Sequence, residues 1–174
     1  MRFAAASSLK IKKKFYAQLP KWVILSQLRD QVPRNNVPSL LRQVFLMEKR
    51  VKTAKDYLDE ANAVVKKISF EEAIEKHNSK SAVFIDVRDS ADIANTGTIA
   101  DALKIQRGLI EFVADENTGL YNDALQKDAE LILVCGAGGQ AALTGKTLVD
   151  MGFTNVSNVG AIGDWEQNGG PMTK

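Results

Sequence analysis

An apolar run that ends in a cysteine and a glycine-rich loop constrains the fold of this chain more than any other feature. Residues 131–134 are all apolar, which is typical of a strand buried on both faces. Cys135 and a loop with three glycines follow, and a helical pattern then runs from about Gln140 to Met151, with Gly152 as its predicted C-cap. This order predicts an α/β sheet with Cys135 at a strand's carboxyl end, where open α/β sheets bind ligands.

The rest of the body shows the same alternation of strand and helix. Ser69 opens a capping box and a short helix. A second apolar run at residues 82–87 predicts another buried strand, and Ser90 is the predicted N-cap of a short helix that ends before Gly97. Residues 156–159 predict a third strand. Strands that alternate with helices indicate a sheet with helices on both faces.

The cysteine and its loop suit the chemistry of a reactive thiolate. Glycines allow the backbone of residues 136–139 to turn several N–H groups toward one anion, and the positive end of the next helix adds to that field. Both effects stabilise a thiolate, a persulfide or a bound anion. The alternative is a structural cysteine buried beside a tight turn. The fixed place of the loop between strand and helix favours the reactive interpretation.

The counts of cysteine and histidine exclude several classes of protein. Cys135 is the only cysteine, so no intramolecular disulfide can form, and a reducing compartment or a reactive thiol is favoured. His77 is the only histidine, which leaves too few ligands for a Cys/His zinc site, and no metal is predicted. No stretch approaches roughly 18 apolar residues, so no membrane-spanning helix is expected.

Charge is divided unevenly along the chain. Residues 1–46 hold nine Lys and Arg against one acid, and the remainder holds 14 basic and 20 acidic residues. The net charge of +2 therefore conceals a basic tail on an acidic body, which argues against nucleic-acid binding by the whole protein. We expect residues 1–38 to be disordered or non-native, and residues 39–67 to form an N-terminal helix that could break near Met47.

Three interpretations of the basic tail stay open. It suits a mitochondrial transit peptide, a basic arm that contacts a membrane or nucleic acid, or a non-native extension before a start at Met47. A cytoplasmic location is expected, with a mitochondrial one as the alternative if residues 1–46 are a transit peptide.

Four separated motifs resemble those of the rhodanese family. The triplet Asp86-Val87-Arg88 after a buried strand is similar to the family's first signature, and the six residues from Cys135 to Gln140 are similar to its active-site loop. The match runs in order through residues 69–172 and ends in two segments, Val159-Gly160-Ala161-Ile162-Gly163-Asp164-Trp165 and Gly169-Gly170-Pro171. The resemblance implies a rhodanese-like three-layer α/β fold, a parallel sheet flanked by helices, preceded here by an N-terminal helical or disordered extension. Phosphatases that share this fold have a loop one residue longer, so the loop length implies sulfur chemistry.

The resemblance also implies a mechanism. The Cys135 thiolate attacks the outer sulfur of a donor such as thiosulfate, and a thiol or cyanide then removes sulfur from the resulting persulfide. The implied partners are small sulfur donors and acceptors, or protein ones, and no metal or organic cofactor is needed. The implied substrate-binding residues are Gly136, Ala137, Gly138, Gly139, Gln140 and Arg107.

The chain departs from the family pattern at several positions. Gln140 stands where the family commonly has Arg, so hydrogen bonding is kept but a fixed charge is lost. Arg107 is the candidate to supply that charge, with a solvated loop arginine as the equal alternative. Ala161 replaces the second glycine of a usual pair. Residues 97–102 keep the first glycine of the family's Gly-His-Ile-Pro-Gly-Ala segment but lack its Pro and its second Gly, which is expected to loosen that turn.

Other residues receive mainly structural predictions. Asp86 and Arg88 are candidates for supporting the site from behind: Asp86 would accept N–H bonds from the turn that follows it, and Arg88 would pair with Asp92. Trp165 is predicted to be core or pocket wall, and His77 a surface residue at a helix end.

Three functions are compatible with these features. The first is a sulfurtransferase of sulfur metabolism. The second is a sulfur-carrier or persulfide-sensing module that acts with a partner protein and has weak turnover alone. The third is a catalytically silent rhodanese-like binding domain. Cys135 argues against the third, and Gln140 keeps the second open.

Overall fold

Five parallel strands form the central sheet in the part of the chain that the computed structural model describes, residues 51–174. The five strands are β1 (Lys66–Lys67), β2 (Val83–Asp86), β4 (Leu103–Lys104), β5 (Glu130–Cys135) and β6 (Asn155–Ala161). Their order in the sheet is β1-β6-β5-β2-β4, and every neighbouring pair is parallel. A separate antiparallel pair consists of β3 (Thr98–Ile99) and β7 (Met172–Thr173).

Helices cover both faces of this sheet, as predicted. They are α1 (Ala54–Val64), α2 (Phe70–Asn78), α3 (Ser90–Thr96), α4 (Ile110–Val113), α5 (Gly139–Asp150) and α6 (Ile162–Gln167), with a short 3-10 helix (Arg107–Leu109) before α4. None of these helices is long and apolar enough to cross a membrane.

The central strand β5 is buried on both faces because its side chains alternate between two apolar clusters. Leu131, Leu133 and Cys135 pack in the cluster that includes residues of α4 and α5. Ile132 and Val134 pack in the cluster that includes residues of α2 and α6. The prediction of a fully buried strand is thus confirmed, and the backbone that carries Cys135 is held from both sides.

The helix predicted over residues 39–67 is shorter within the described part of the chain. It begins after Thr53, whose side chain and backbone form a capping box with Asp56. It ends before Val65, where the backbone becomes extended. The prediction is wrong at Lys66–Lys67, since these residues pair with β6 as an edge strand of the sheet. The predictions for residues 1–50 lie outside the described residues.

One predicted N-cap is also wrong, by one residue. Asp89, not Ser90, caps α3, because its carboxylate accepts the Asp92 N–H at 2.9 Å. Gly152 follows the C-cap Met151 with a positive φ of 92°.

His77 is half-buried, and its prediction as a surface residue is wrong. Its Nε2 lies 2.8 Å from the carbonyl oxygen of Ala100. Its ring packs edge-on against Phe84 and Trp165, with centroid distances of 5.2 and 5.9 Å. Trp165 has no exposed surface, so it belongs to the core, as predicted.

The turn at residues 97–102 keeps its backbone hydrogen bonds despite the missing Pro and Gly. The N–H of Ala100 donates to the carbonyl of Pro171 at 3.0 Å, and the N–H of Ala102 donates to that of Ile99 at 3.1 Å. Asp101 adopts a left-handed φ of 62°. Asp tolerates this conformation better than most side chains, so Asp101 can occupy the position where the family commonly has glycine.

Close packing of Trp165 against Gly170 leads to a stability prediction. A Cβ at Gly170 would lie 2.2 Å from the Trp165 Cε2 atom, so the buried ring or the backbone would have to move. We expect Gly170→Ala to lower the free energy of unfolding by about 1–3 kcal/mol, measured by urea denaturation. Gly163→Ala is the control, because nothing lies within 4 Å of its added Cβ and it sits in α6. It should be neutral or stabilising by up to about 1 kcal/mol, and equal losses in both variants would contradict the packing explanation.

Candidate active site

Cys135 occupies the last position of β5, at the edge of the sheet where the parallel strands end. It is 2% exposed. Strand β5 lies between β2 and β6, and Cys135 is in register with Ala161 of β6. Its Sγ accepts a hydrogen bond from the backbone N–H of Gly138 at 3.1 Å. A backbone N–H only three residues later in the chain therefore donates to the sulfur.

Gly138 makes this return possible. It has a left-handed φ of 82° and is the N-cap residue of α5. A side chain at this position would be strained, and its Cβ would lie 3.4 Å from the Cα of Gly160. The 12-residue helix α5 therefore starts directly behind the sulfur. The positive end of its dipole favours negative charge in the loop.

The loop itself is open while the sulfur below it is buried. Gly136, Ala137 and Gln140 are exposed, and Gly138 and Gly139 are partly buried. The side chain of Gln140 belongs to the first turn of α5, because that helix starts one residue earlier.

A cavity of about 360 Å³ borders the loop at Gly136. Asp92 of α3 and Glu166 of α6 bring two carboxylates to its lining, and Arg88 is the one cation among the described residues that line it. Ile162 contributes apolar surface to the same cavity. The charge of this cavity therefore depends on whether Arg88 is free.

Arg88 forms an ion pair with Asp86. Its Nε and Nη2 atoms donate to the Asp86 carboxylate at 2.7–3.0 Å, and its backbone N–H donates to Oδ1 of the same carboxylate at 3.0 Å. The side chains are 4% and 0% exposed. The predicted N–H bond to Asp86 is confirmed. The predicted pairing of Arg88 with Asp92 is wrong, because the nearer and buried Asp86 takes the guanidinium.

Neighbours of α3 complete this buried network. Arg88 also donates to Thr96 Oγ1 at 2.8 Å and to the carbonyl of Gly97 at 2.6 Å. Thr98 donates its hydroxyl to Asp86 Oδ2 at 2.7 Å. The guanidinium is thereby held by a carboxylate, a hydroxyl and a carbonyl, so it is poorly placed to bind an incoming anion.

Arg107 lies beside α5, where its guanidinium has other partners than the loop. It donates to the Glu111 carboxylate at 3.0 and 3.3 Å and to Thr147 Oγ1 at 3.0 Å. Thr147 lies two turns into α5, past the loop. The role of Arg107 in binding an anion stays a prediction, and its charge is already paired with a carboxylate.

Asn158 also belongs to the site, although no sequence motif predicted a role for it. It is 5% exposed on β6. Its Nδ2 donates to the carbonyl of Gly138 at 3.0 Å, and its Oδ1 accepts the N–H of Gly160 at 2.9 Å. Two adjacent polar residues, Ser157 and Asn158, inside a buried strand are the signal that could have identified it.

Comparison with known proteins was consistent with this architecture. The family model of the rhodanese-like domain matches residues 69–168. A Rhodopseudomonas palustris protein of unknown function, described as a possible tyrosine phosphatase, is 31% identical, with a TM-score of 0.67 over 72% of this chain and 97% of that one. The sequence matches no curated protein.

Two more distant structures share the fold. A human single-domain sulfurtransferase is 24% identical, with a TM-score of 0.53 over 59% of this chain and 96% of that one. The polysulfide-sulfur transferase homodimer of Wolinella succinogenes is also 24% identical, with a TM-score of 0.55 over 68% of this chain and 85% of that one. With its cysteine loop placed between a parallel strand and a helix, and with the family model matching residues 69–168, the chain belongs to the rhodanese-like domain family.

Proposed function

We propose that the protein is a sulfurtransferase that carries sulfane sulfur as a persulfide on Cys135. The observation that supports this most is the hydrogen bond from the Gly138 N–H to Cys135 Sγ at the start of α5. A backbone donor and a helix N-terminus both favour negative charge on sulfur, and the thiolate is the nucleophilic form of cysteine.

The proposed reaction has two half-reactions. The Cys135 thiolate attacks the outer sulfur of a donor such as thiosulfate, the sulfur–sulfur bond of the donor breaks, and sulfite leaves with the bonding pair. A thiolate or cyanide then attacks the outer sulfur of the persulfide, and the Cys135 thiolate leaves. The same loop groups face an anionic sulfur in both steps, and the covalent intermediate predicts ping-pong kinetics.

Intact mass spectrometry tests the proposed intermediate. We expect purified protein incubated with thiosulfate or inorganic polysulfide to gain the mass of one sulfur atom, about 32 Da, and to lose it on addition of cyanide. Because the chain has one cysteine, a cyanide-sensitive adduct is assigned to Cys135 without a digest. Absence of an adduct with both sulfur sources would contradict the proposal.

A phosphatase assay is the control for the sulfur-loading experiment. The loop of residues 135–140 carries no cationic side chain, and a transferring phosphoryl group needs fixed positive charge around it. We therefore expect no turnover of p-nitrophenyl phosphate above that of a variant without the cysteine. Turnover that depends on Cys135 would favour the activity suggested for the Rhodopseudomonas palustris protein.

The second candidate is a sulfur carrier that receives sulfur from a protein persulfide. The acid-lined cavity favours it, because Asp92 and Glu166 repel a small dianion and Arg88 is held by Asp86. A cysteine persulfide on a partner carries less charge, and a partner surface can supply its own cations. Weak activity with thiosulfate and fast transfer from a persulfide would support this candidate.

Restoring the charge at position 140 tests how far the lack of a cation limits thiosulfate. We expect Gln140→Arg to lower the KM for thiosulfate about tenfold, since a hydrogen bond to a charged group contributes about 1.5–3 kcal/mol. Steady-state kinetics with thiosulfate and cyanide measure this effect. An unchanged KM would indicate that thiosulfate is the wrong donor and would favour the carrier.

The companion variant Arg107→Ala separates the two possible sources of charge. Because Arg107 is paired with Glu111 and bonded to Thr147, we expect its removal to change the KM for thiosulfate by less than about twofold. A large loss that is non-additive with Gln140→Arg would show instead that both arginines act on one bound anion.

A further inference from the structure

Strand β6 contains one irregularity, and it lies opposite the cysteine loop. The register of β5 and β6 shifts between Leu133 and Val134, which pair with Asn158 and Gly160. Val159 is therefore an extra residue on β6, and the bulge withdraws the Gly160 N–H from the regular ladder. The Asn158 side chain accepts this N–H at 2.9 Å, so the strand supplies its own cap for the bulge.

The other end of the same amide reaches the loop. The Asn158 Nδ2 donates to the Gly138 carbonyl at 3.0 Å, and that carbonyl also accepts the first helical N–H bond of α5, from Ala142 at 3.0 Å. Because the Gly160 N–H can only donate and the Gly138 carbonyl can only accept, the orientation of the amide is fixed by its two partners.

The backbone N–H of Gly138 donates to the sulfur, so the orientation of Gly138 determines whether Cys135 Sγ has this hydrogen-bond donor. Its carbonyl is held by Asn158 and α5, while its N–H lies 3.1 Å from Cys135 Sγ. Its left-handed backbone brings these two groups into place. A glycine without a side chain to hold it can leave this conformation at little cost unless something outside the loop fixes it.

We infer that Asn158 is a positioning residue for the nucleophile: it anchors the Gly138 carbonyl to the bulge of β6 and thereby keeps the Gly138 N–H directed at Cys135 Sγ. The amide does not touch the sulfur and takes no part in bond making. This role rests on the proposed function of Cys135 as a nucleophile, but the test below needs no sulfur transfer.

The test uses the full chain with Asn158→Asp and Asn158→Ala. The Asp variant keeps an acceptor for the Gly160 N–H, loses the amide N–H that binds Gly138, and adds a negative charge. The Ala variant removes both bonds and adds no charge, so slowing in both variants is not explained by charge. Ser157→Ala is the matched control, because Ser157 is also buried on β6 and, within residues 51–174, its side chain makes no hydrogen bond to the loop. The readouts are the rate of Cys135 alkylation by iodoacetamide as a function of pH, and the melting temperature.

We expect alkylation at pH 7 to slow about tenfold in both Asn158 variants, as befits loss of one hydrogen bond to a charged group. Ser157→Ala should follow the wild-type profile. A purely structural role predicts a lower melting temperature with an unchanged pH profile, and that result would overturn the inference.

Two outcomes keep this inference separate from the proposed function. If the alkylation profile shifts but no variant, including wild type, gains sulfur, the positioning role stands and the sulfurtransferase proposal fails. If wild type gains sulfur and the Asp variant alkylates like wild type, the positioning role fails alone. Should the Ala variant not fold, an Asp variant that alkylates like wild type still overturns the inference, because the bulge keeps its cap.

Discussion

Cys135→Ser is expected to abolish sulfur loading while the protein keeps its fold. A serine hydroxyl nearly matches the thiol in size and can still accept the Gly138 N–H, so the loop should keep its conformation. It cannot form a persulfide, and no second cysteine can substitute for it. Intact mass after incubation with thiosulfate or polysulfide should show no sulfur adduct. Cyanide-dependent turnover should fall to the level of the reaction without protein.

The control for this variant is its stability. Because the site is 2% exposed, replacing sulfur by a smaller hydroxyl should cost no more than about 1–3 kcal/mol of unfolding free energy. Circular dichroism and urea denaturation should therefore show a folded protein. A sulfur adduct that persists in the serine variant would place the chemistry at another residue, and the proposed mechanism would be wrong.

The largest loss of stability is expected from Arg88→Ala. The substitution removes the guanidinium from a pair with side chains only 4% and 0% exposed, and it leaves the Asp86 carboxylate buried with its charge uncompensated. Such a change costs about 3–5 kcal/mol, a large part of the total stability of a typical domain. Urea denaturation of the full chain, with the unfolding free energy extrapolated to water, measures the loss.

Arg107→Ala provides the matched comparison, since it removes the same side chain from an ion pair that is 31% and 45% exposed. Its cost should stay within about 1 kcal/mol. If the two variants lose equal stability, burial of the Asp86–Arg88 pair does not have the importance that its geometry indicates. A double variant, Asp86→Ala with Arg88→Ala, should lose less than the single losses added together.

Local sequence order was sufficient to predict the central part of the molecule. A strand buried on both faces needs only a continuous apolar run, and the helix after it needs only a glycine turn and a periodic pattern. Both were predicted around Cys135, and both are present as β5 and α5. The positions of Cys135 and Gly138 follow from this order because the two residues are three apart in the chain.

Contacts made by individual side chains after folding could not be predicted from the sequence. The four-residue spacing predicts a pair of Arg88 with Asp92, yet the guanidinium forms its ion pair with the buried Asp86 carboxylate, two residues earlier in the chain. His77 was assigned to the surface because it ends a helix, but the fold brings Phe84 and Trp165 against its ring. Asn158 received no role, since its importance depends on a bulge and on a loop 20 residues away.

The depth of the cysteine has a consequence for which of two sulfur atoms an acceptor can attack. In the proposed persulfide, Cys135 Sγ becomes the inner sulfur and keeps the shielding that leaves the residue 2% exposed. The loop that follows it is open, with Gly136 and Ala137 exposed, so we expect the added outer sulfur to be the more accessible of the two atoms. An incoming thiolate that reached the inner atom would form a mixed disulfide with Cys135 and expel hydrosulfide, so the sulfur would not be transferred to the acceptor. In the proposed reaction, burial would thus direct an acceptor to the outer sulfur, so that sulfur is transferred and no mixed disulfide with the protein forms.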